Sequence, residues 1–127
     1  MREFKFRAWI KELNRMANSV VTIYYDPPKP SILVDVSHPD YELFEGSFDD
    51  IILMQYTGLN DKKGVEIYEG DIVNLLNKYG RIISLKNVVE LADFLGGHYY
   101  QTHMGGSTIY EVIGNIYDNP ELLDDSK

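Results

Sequence analysis

The 127-residue chain contains no cysteine. That excludes a disulfide scaffold and every thiolate chemistry, whether nucleophilic, zinc-thiolate or iron-sulfur. No apolar run approaches the roughly 20 residues that a membrane-crossing helix needs. The opening Met1-Arg2-Glu3-Phe4-Lys5-Phe6-Arg7 puts charges where a secretory signal requires an apolar stretch. Together these absences predict a soluble cytoplasmic protein with no membrane association. Enzyme signatures are missing too, with no Gly-x-Ser-x-Gly elbow, Walker loop, Gly-x-Gly-x-x-Gly or His-Glu-x-x-His. The acid pairs Asp49-Asp50 and Glu69 with Asp71 have the right chemistry for proton transfer, but nothing in the sequence brings either pair to a cleft. A non-enzymatic protein without cofactor or metal is the expectation.

Basic residues are scarce: twelve Lys and Arg stand against twenty Asp and Glu, for a net charge of −8 and a pI near 4.7. The field of the whole molecule therefore repels nucleic acid at long range. The charge is unevenly spread. Arg2, Lys5, Arg7, Lys11 and Arg15 make residues 1–15 net +3, which leaves −11 on the rest. Such faces usually serve solubility; the sharper implication is head-to-tail contact between copies.

What is present is a chain that can fold without staples. Hydrophobic residues make up 44%, and a chain of this size buries roughly two-thirds of its unfolded surface. A single domain is expected, with a subdivision into an N-terminal lobe over 1–50 and a barrel-like lobe over 51–123 as the one boundary the composition hints at. Phe4, Phe6 and Ala8 alternate with Lys5, Arg7 and Trp9, the two-residue period of a strand. Val20–Tyr25 is a dense β-branched and aromatic run stopped by Pro27-Pro28. Ile32–Val36 and Ile51–Tyr56 read as strands. His38–Asp50 has no clean period.

Gly58 and Asn60-Asp61 open a turn that Gly64 closes, and Glu69-Gly70-Asp71 redirects the chain between Val65–Tyr68 and Ile72–Leu76. Asn77–Gly80 is a further turn before a strand at Arg81–Leu85. Val88–Leu95 reads as a short helix or turn, and Gly105-Gly106 as the bend between His98–His103 and Thr108–Ile113. Asn119 is suited to cap a final turn with Pro120 in its first position, and Asp124–Lys127 should fray. Many short strands with frequent turns predict a mainly β fold, β-rich α+β at most, and most simply a small barrel.

Three blocks resemble the YopX family of phage and prophage proteins: the start Met1–Trp9, the run Leu53–Val73 with its two glycine turns, and Val112-Ile113-Gly114-Asn115-Ile116-Tyr117-Asp118-Asn119-Pro120-Glu121-Leu122. They occur in family order and span the chain. The resemblance implies a β-rich protein with an SH3-like, barrel-like C-terminal half, and it implies no biochemical activity.

Turn positions carry structure first. Gly64 and Gly70 suit positive backbone angles, Asp71 can accept from nearby backbone donors, and Gly114 with Asn115 suits packing at a strand end. Candidate binding residues form two groups. Lys5, Arg7 and Trp9 share one strand face and could contact phosphate and stack on a base, although three residues are a small footprint against −11 elsewhere. Tyr99, Tyr100 and His103 supply rings and donors in one stretch. His98 and His103 are five apart, so an uninterrupted strand sends them to opposite faces and no shared metal is expected. Ten tyrosines and five phenylalanines exceed what one small core needs. Some must reach the surface, where aromatics are enriched in protein contacts. The leading expectation is a self-associating binding module, a homo-oligomer with a phage or host protein as further partner. A nucleic-acid-binding accessory protein using the basic first strand is the alternative, and an enzyme of unrecognised type is a residual one.

Overall fold

The structure is a computed structural model, and it describes residues 5–25, 30–90 and 108–124. Of these, 62% lie in strands, and none belongs to a helix of seven residues or more. The mainly β expectation therefore holds. In chain order the strands are β1 (Phe6–Ile10), β2 (Arg15–Met16), β3 (Ser19–Tyr24), β4 (Ser31–His38) and β5 (Tyr41–Ser47). Next come β6 (Ile51–Asn60), β7 (Glu66–Tyr68), β8 (Asp71–Leu76), β9 (Ile82–Val88) and β10 (Ile109–Asn115), with a 3₁₀ turn at Pro120–Leu123.

Two compact units divide the chain inside β6, between Gln55 and Tyr56. The sequence suggested a boundary at residue 50, where β6 begins. A strand that pairs along both halves of its length contributes to each unit, so a break in composition does not mark the division.

In the first unit, β3, β4 and β5 form an antiparallel sheet in that order. Strict alternation in β4 turns Ile32, Val34 and Val36 inward, each fully buried. They pack with Ala8, Ile10, Ala17 and Ile51, and with Val20, Ile23 and Phe44 at the margin. At about 1.5–3 kcal/mol for each large apolar side chain removed from water, this cluster dominates the unit's stability. β1 pairs antiparallel with β6 from Phe6 opposite Gln55 to Ile10 opposite Ile51. The stretch 38–50, without period in sequence, contains all of β5 and its flanking turns. Its pattern is masked because only Phe44 of Tyr41, Glu42, Leu43, Phe44 and Glu45 is drawn from solvent.

In the second unit, β8 is the middle strand of the order β10-β8-β9 and is buried along its whole length. Ile67, Val73, Leu75, Val89 and Tyr110 form its core. The chain carries a curled, half-barrel sheet; the strand pairings go no further toward an SH3-like order. Of Val88–Leu95, read as a short helix or turn, Val88 instead ends β9 as a strand residue; residues 91–95, the stretch His98–His103 and the bend at Gly105-Gly106 lie outside the described residues, as do Pro27-Pro28 and residues 125–127.

Candidate binding surfaces

Several conspicuous polar residues of the second unit serve its own turns. Gly70 has φ of +86°, donates its N–H to the Val89 carbonyl at 3.0 Å and accepts from the Ile116 N–H at 2.9 Å. A β-carbon at that angle would meet the backbone. Beside it, the buried Asp71 Oδ2 accepts from the Tyr68 N–H at 2.8 Å. The Glu69-Asp71 acids are thus built into a turn joining β7 to β8. Gly64 also has φ of +86° and closes the turn opened at Asp61, as the sequence predicts for it.

Asp61 opens this turn, as the sequence predicts, and it also does more. Its Oδ1 accepts from the N–H groups of Lys63 at 2.8 Å and Val65 at 2.9 Å, and its Oδ2 from Val112 at 3.2 Å. Burial pushes this carboxyl up, but the donors from Val65, Val112 and Lys63, with the Lys63 charge, together hold it below its ordinary value. Neighbouring Lys62 pairs with Glu111 at 2.8 Å, and Asn74 donates to the same carboxylate at 3.3 Å, so Glu111 too sits below the usual range.

At the end of β10, Asn115 Oδ1 accepts from the Tyr117 and Asp118 N–H groups at 2.9 and 2.8 Å. A β-carbon on Gly114 would lie 2.5 Å from Asn119 Oδ1 and 2.9 Å from Leu122 Cδ1. Gly114 is required by that close approach. Asn119 does stand before Pro120 as the sequence predicts, yet its side chain makes no cap bond; it accepts instead from the Asn115 N–H at 3.2 Å.

The basic first strand departs from its expected role. Alternation is real: Ala8 and Ile10 enter the core on one side, with Arg7 and Trp9 on the other. Trp9, however, is only 6% exposed and Lys5 and Arg7 are half-buried. A ring so covered offers no stacking platform, so Lys5, Arg7 and Trp9 do not form an open nucleic-acid face. Two-residue period separates the faces of a strand but does not say which of them water reaches. Tyr99, Tyr100 and His103 lie outside the described residues. Among the described residues, no group of three or more His, Asp or Glu is placed to hold a metal.

Two surfaces among the described residues combine exposed apolar side chains with charge of one sign. The first is the β8–β9 hairpin. Tyr79 is 77% exposed at its tip, and along β9 Ile82, Ile83 and Leu85 are 58%, 43% and 57% exposed. Lys78, Arg81 and Lys86 are exposed among them, and no acid occurs between Ile72 and Val89. This acid-free run was the signal available in the sequence. The hairpin is held in shape from beneath. Pairing of β9 with β8 slips between Asn87 and Ser84, leaving Leu85 and Lys86 as a bulge. Asn74 Oδ1 accepts the Lys86 N–H at 3.0 Å where that residue takes φ of +55°, and Asn87 Nδ2 donates to Ser84 Oγ at 3.1 Å across the bulge. Bulges re-aim side chains, and here Leu85 and Lys86 are turned into solvent.

The second surface is β5 with its adjoining turns. Tyr41, Leu43 and Phe48 are exposed, alongside exposed Asp40, Glu42, Glu45 and Asp49. The ring of Tyr41 stacks on His38 at 4.3 Å. No Lys or Arg occurs between Ser31 and Asp61. An open recess of about 380 Å³, with Glu45 and Asp50 in its lining, lies beside the strand.

Together these features define a mainly β protein whose polar nodes fasten turns and whose open surfaces are sheet margins. The chain belongs to the YopX family, whose model, described as YopX protein, matches residues 5–124. Among solved structures it is similar to the crystal structure of protein EF1440 from Enterococcus faecalis, with 27% identity over 97% of this chain and 99% of that one, at a TM-score of 0.53. No curated protein matches it.

Proposed function

We propose that this YopX-family protein is a non-enzymatic binding module of phage or prophage origin that acts in the host cytoplasm by associating with copies of itself, with a phage or host protein as a further partner. The observation that carries the reading is the β9 margin. Three large apolar side chains stand exposed in succession on a strand that pairs on one side only, among the described residues. Apolar side chains clustered in solvent mark a contact surface, and here cations without an acid flank them. The phage origin is what the resemblance to phage and prophage proteins implies. Among the described residues no helix is long and apolar enough to cross a membrane.

Gel filtration with light scattering tests the reading. Association that strengthens with concentration is the expected result, and a monomer at every concentration overturns it.

A second reading, nucleic-acid binding, rests on different residues from those the sequence favoured. The ring of the exposed Tyr79 lies 5.2 Å from the Lys78 ammonium, on a hairpin that also exposes Arg81 and Lys86. Cations with an open ring suit single strands, but the net charge of −8 opposes long-range approach. Titrating a labelled oligonucleotide at low salt decides it: no binding there removes the idea.

A further inference from the structure

The β9 and β5 surfaces are complementary to each other in three respects. They match in length, at seven residues each, or about 23 Å at the usual rise along a strand. Their charges are opposite and unmixed: three cations without an acid between Ile72 and Val89, against a stretch without a cation between Ser31 and Asp61. Each places exposed apolar side chains between its charges, Ile82, Ile83 and Leu85 on one and Tyr41 and Leu43 on the other.

Their position in the sheets adds a fourth. Among the described residues, β9 ends the order β10-β8-β9, and β5 ends the order β3-β4-β5. Arg81, Lys86, Glu42 and Glu45 take no part in the ion pairs of His38 with Asp40 or of Lys62 with Glu111. Charges left exposed beside apolar side chains gain little within the chain. They gain more where a second surface supplies both the opposite charge and apolar cover, because desolvation strengthens each charged hydrogen bond.

We propose that the β9 surface of one copy docks against the β5 surface of a second copy, so that Arg81 and Lys86 meet the exposed carboxylates of Glu42 and Glu45. This rests on the self-association reading and names the surfaces that carry it. The contact joins two different patches, so each copy keeps one free patch of either kind. Assembly is therefore head to tail, growing until a ring closes or continuing as a filament. The Leu85–Lys86 bulge has a role in it: Asn74 holds both side chains outward, where an unbulged strand would send one of the two back toward its own sheet.

Charge reversal on each side tests this, with the β spectrum by circular dichroism confirming the fold. The variant Lys78→Glu, Arg81→Glu, Lys86→Glu should be monomeric, and so should Glu42→Lys, Glu45→Lys. An equal mixture of the two should associate again, since every contact between the two variants is between opposite charges. Recovery in the mixture also excludes misfolding as the cause of dissociation. If the triple variant loses its β spectrum, Leu85→Thr carries the test, since it alters a side chain 57% exposed. It should weaken association about tenfold, as expected for lost apolar cover.

Wild-type protein that associates while the reversed variants keep its mass overturns the proposed pairing and leaves self-association standing. A wild-type monomer overturns both. Oligonucleotide binding that the triple variant loses while keeping the wild-type oligomer overturns the pairing in favour of a nucleic-acid contact at the hairpin.

Discussion

Asp61 and Gly114 show how single residues in this chain are committed to geometry. With three backbone donors on its carboxylate, Asp61 has a folded-state pKa below the ordinary value of 3.8. A depressed pKa contributes stability that is complete above the unfolded value and is lost as pH falls through the folded one. Asp61→Asn should therefore cost about 1–3 kcal/mol near neutral pH. It should also flatten the decline in stability below about pH 4. Urea unfolding at a series of pH values measures both, and an unchanged acid limb would assign the decline to other carboxylates. Gly114→Ala places a β-carbon against Asn119 and Leu122 and displaces the acceptor of the Asn115 N–H. A loss of about 1–3 kcal/mol is expected; a midpoint equal to wild type would mean that Asn119 swings clear without cost. Gly70 and Asp71 were legible as turn residues because a positive φ and an acceptor three positions from its donor are local features, although the backbone bonds of Gly70 reach Val89 and Ile116. Asp61 was legible only as part of a turn; its tie to Val112, 51 residues away, was not.

Among the elements, β9 shows most clearly what a strand pattern conceals. Arg81–Leu85 reads as half-buried by alternation, yet Ile82, Ile83 and Leu85 are all exposed. Alternation describes a regular strand, and β9 slips twice against β8. The slip depends on Asn74, whose side chain serves both the Lys86 N–H and Glu111. Asn74→Leu should leave that N–H without its acceptor, cost about 1–2 kcal/mol and raise hydrogen exchange at Lys86 above that of its neighbours. Exchange unaltered at Lys86 would show that the bulge holds without Asn74. β1 teaches the converse. Its two faces were correctly separated in the sequence, but Trp9 is buried on the one expected to be open.

For the molecule as a whole, charge segregation has a measurable consequence. If opposite blocks on different copies drive association, it should weaken as ionic strength rises from about 0.05 to about 0.5 M, because screening shortens the reach of exposed charges to a few ångströms. Sedimentation velocity across that range reads the effect; association that strengthens with salt would point to apolar contact alone. The three sequence blocks shared with the YopX family were enough to identify it, and the family model spans nearly the whole chain. Strand content was also readable, since β-branched and aromatic runs broken by glycine turns leave little else to form.

By itself, the sequence determined the things that depend on neighbours along the chain. These are the strand runs, the turn at Gly70, the acceptor role of Asp71, the charge blocks and the family. Tertiary structure decided what depends on distant partners: that β6 is shared by two units, that Trp9 is covered, that Asp61 receives Val112, and that a slipped register turns Leu85 and Lys86 into solvent. The reason is physical. Backbone preference and charge are properties of short segments, whereas burial and register are set only when a strand meets the strand beside it.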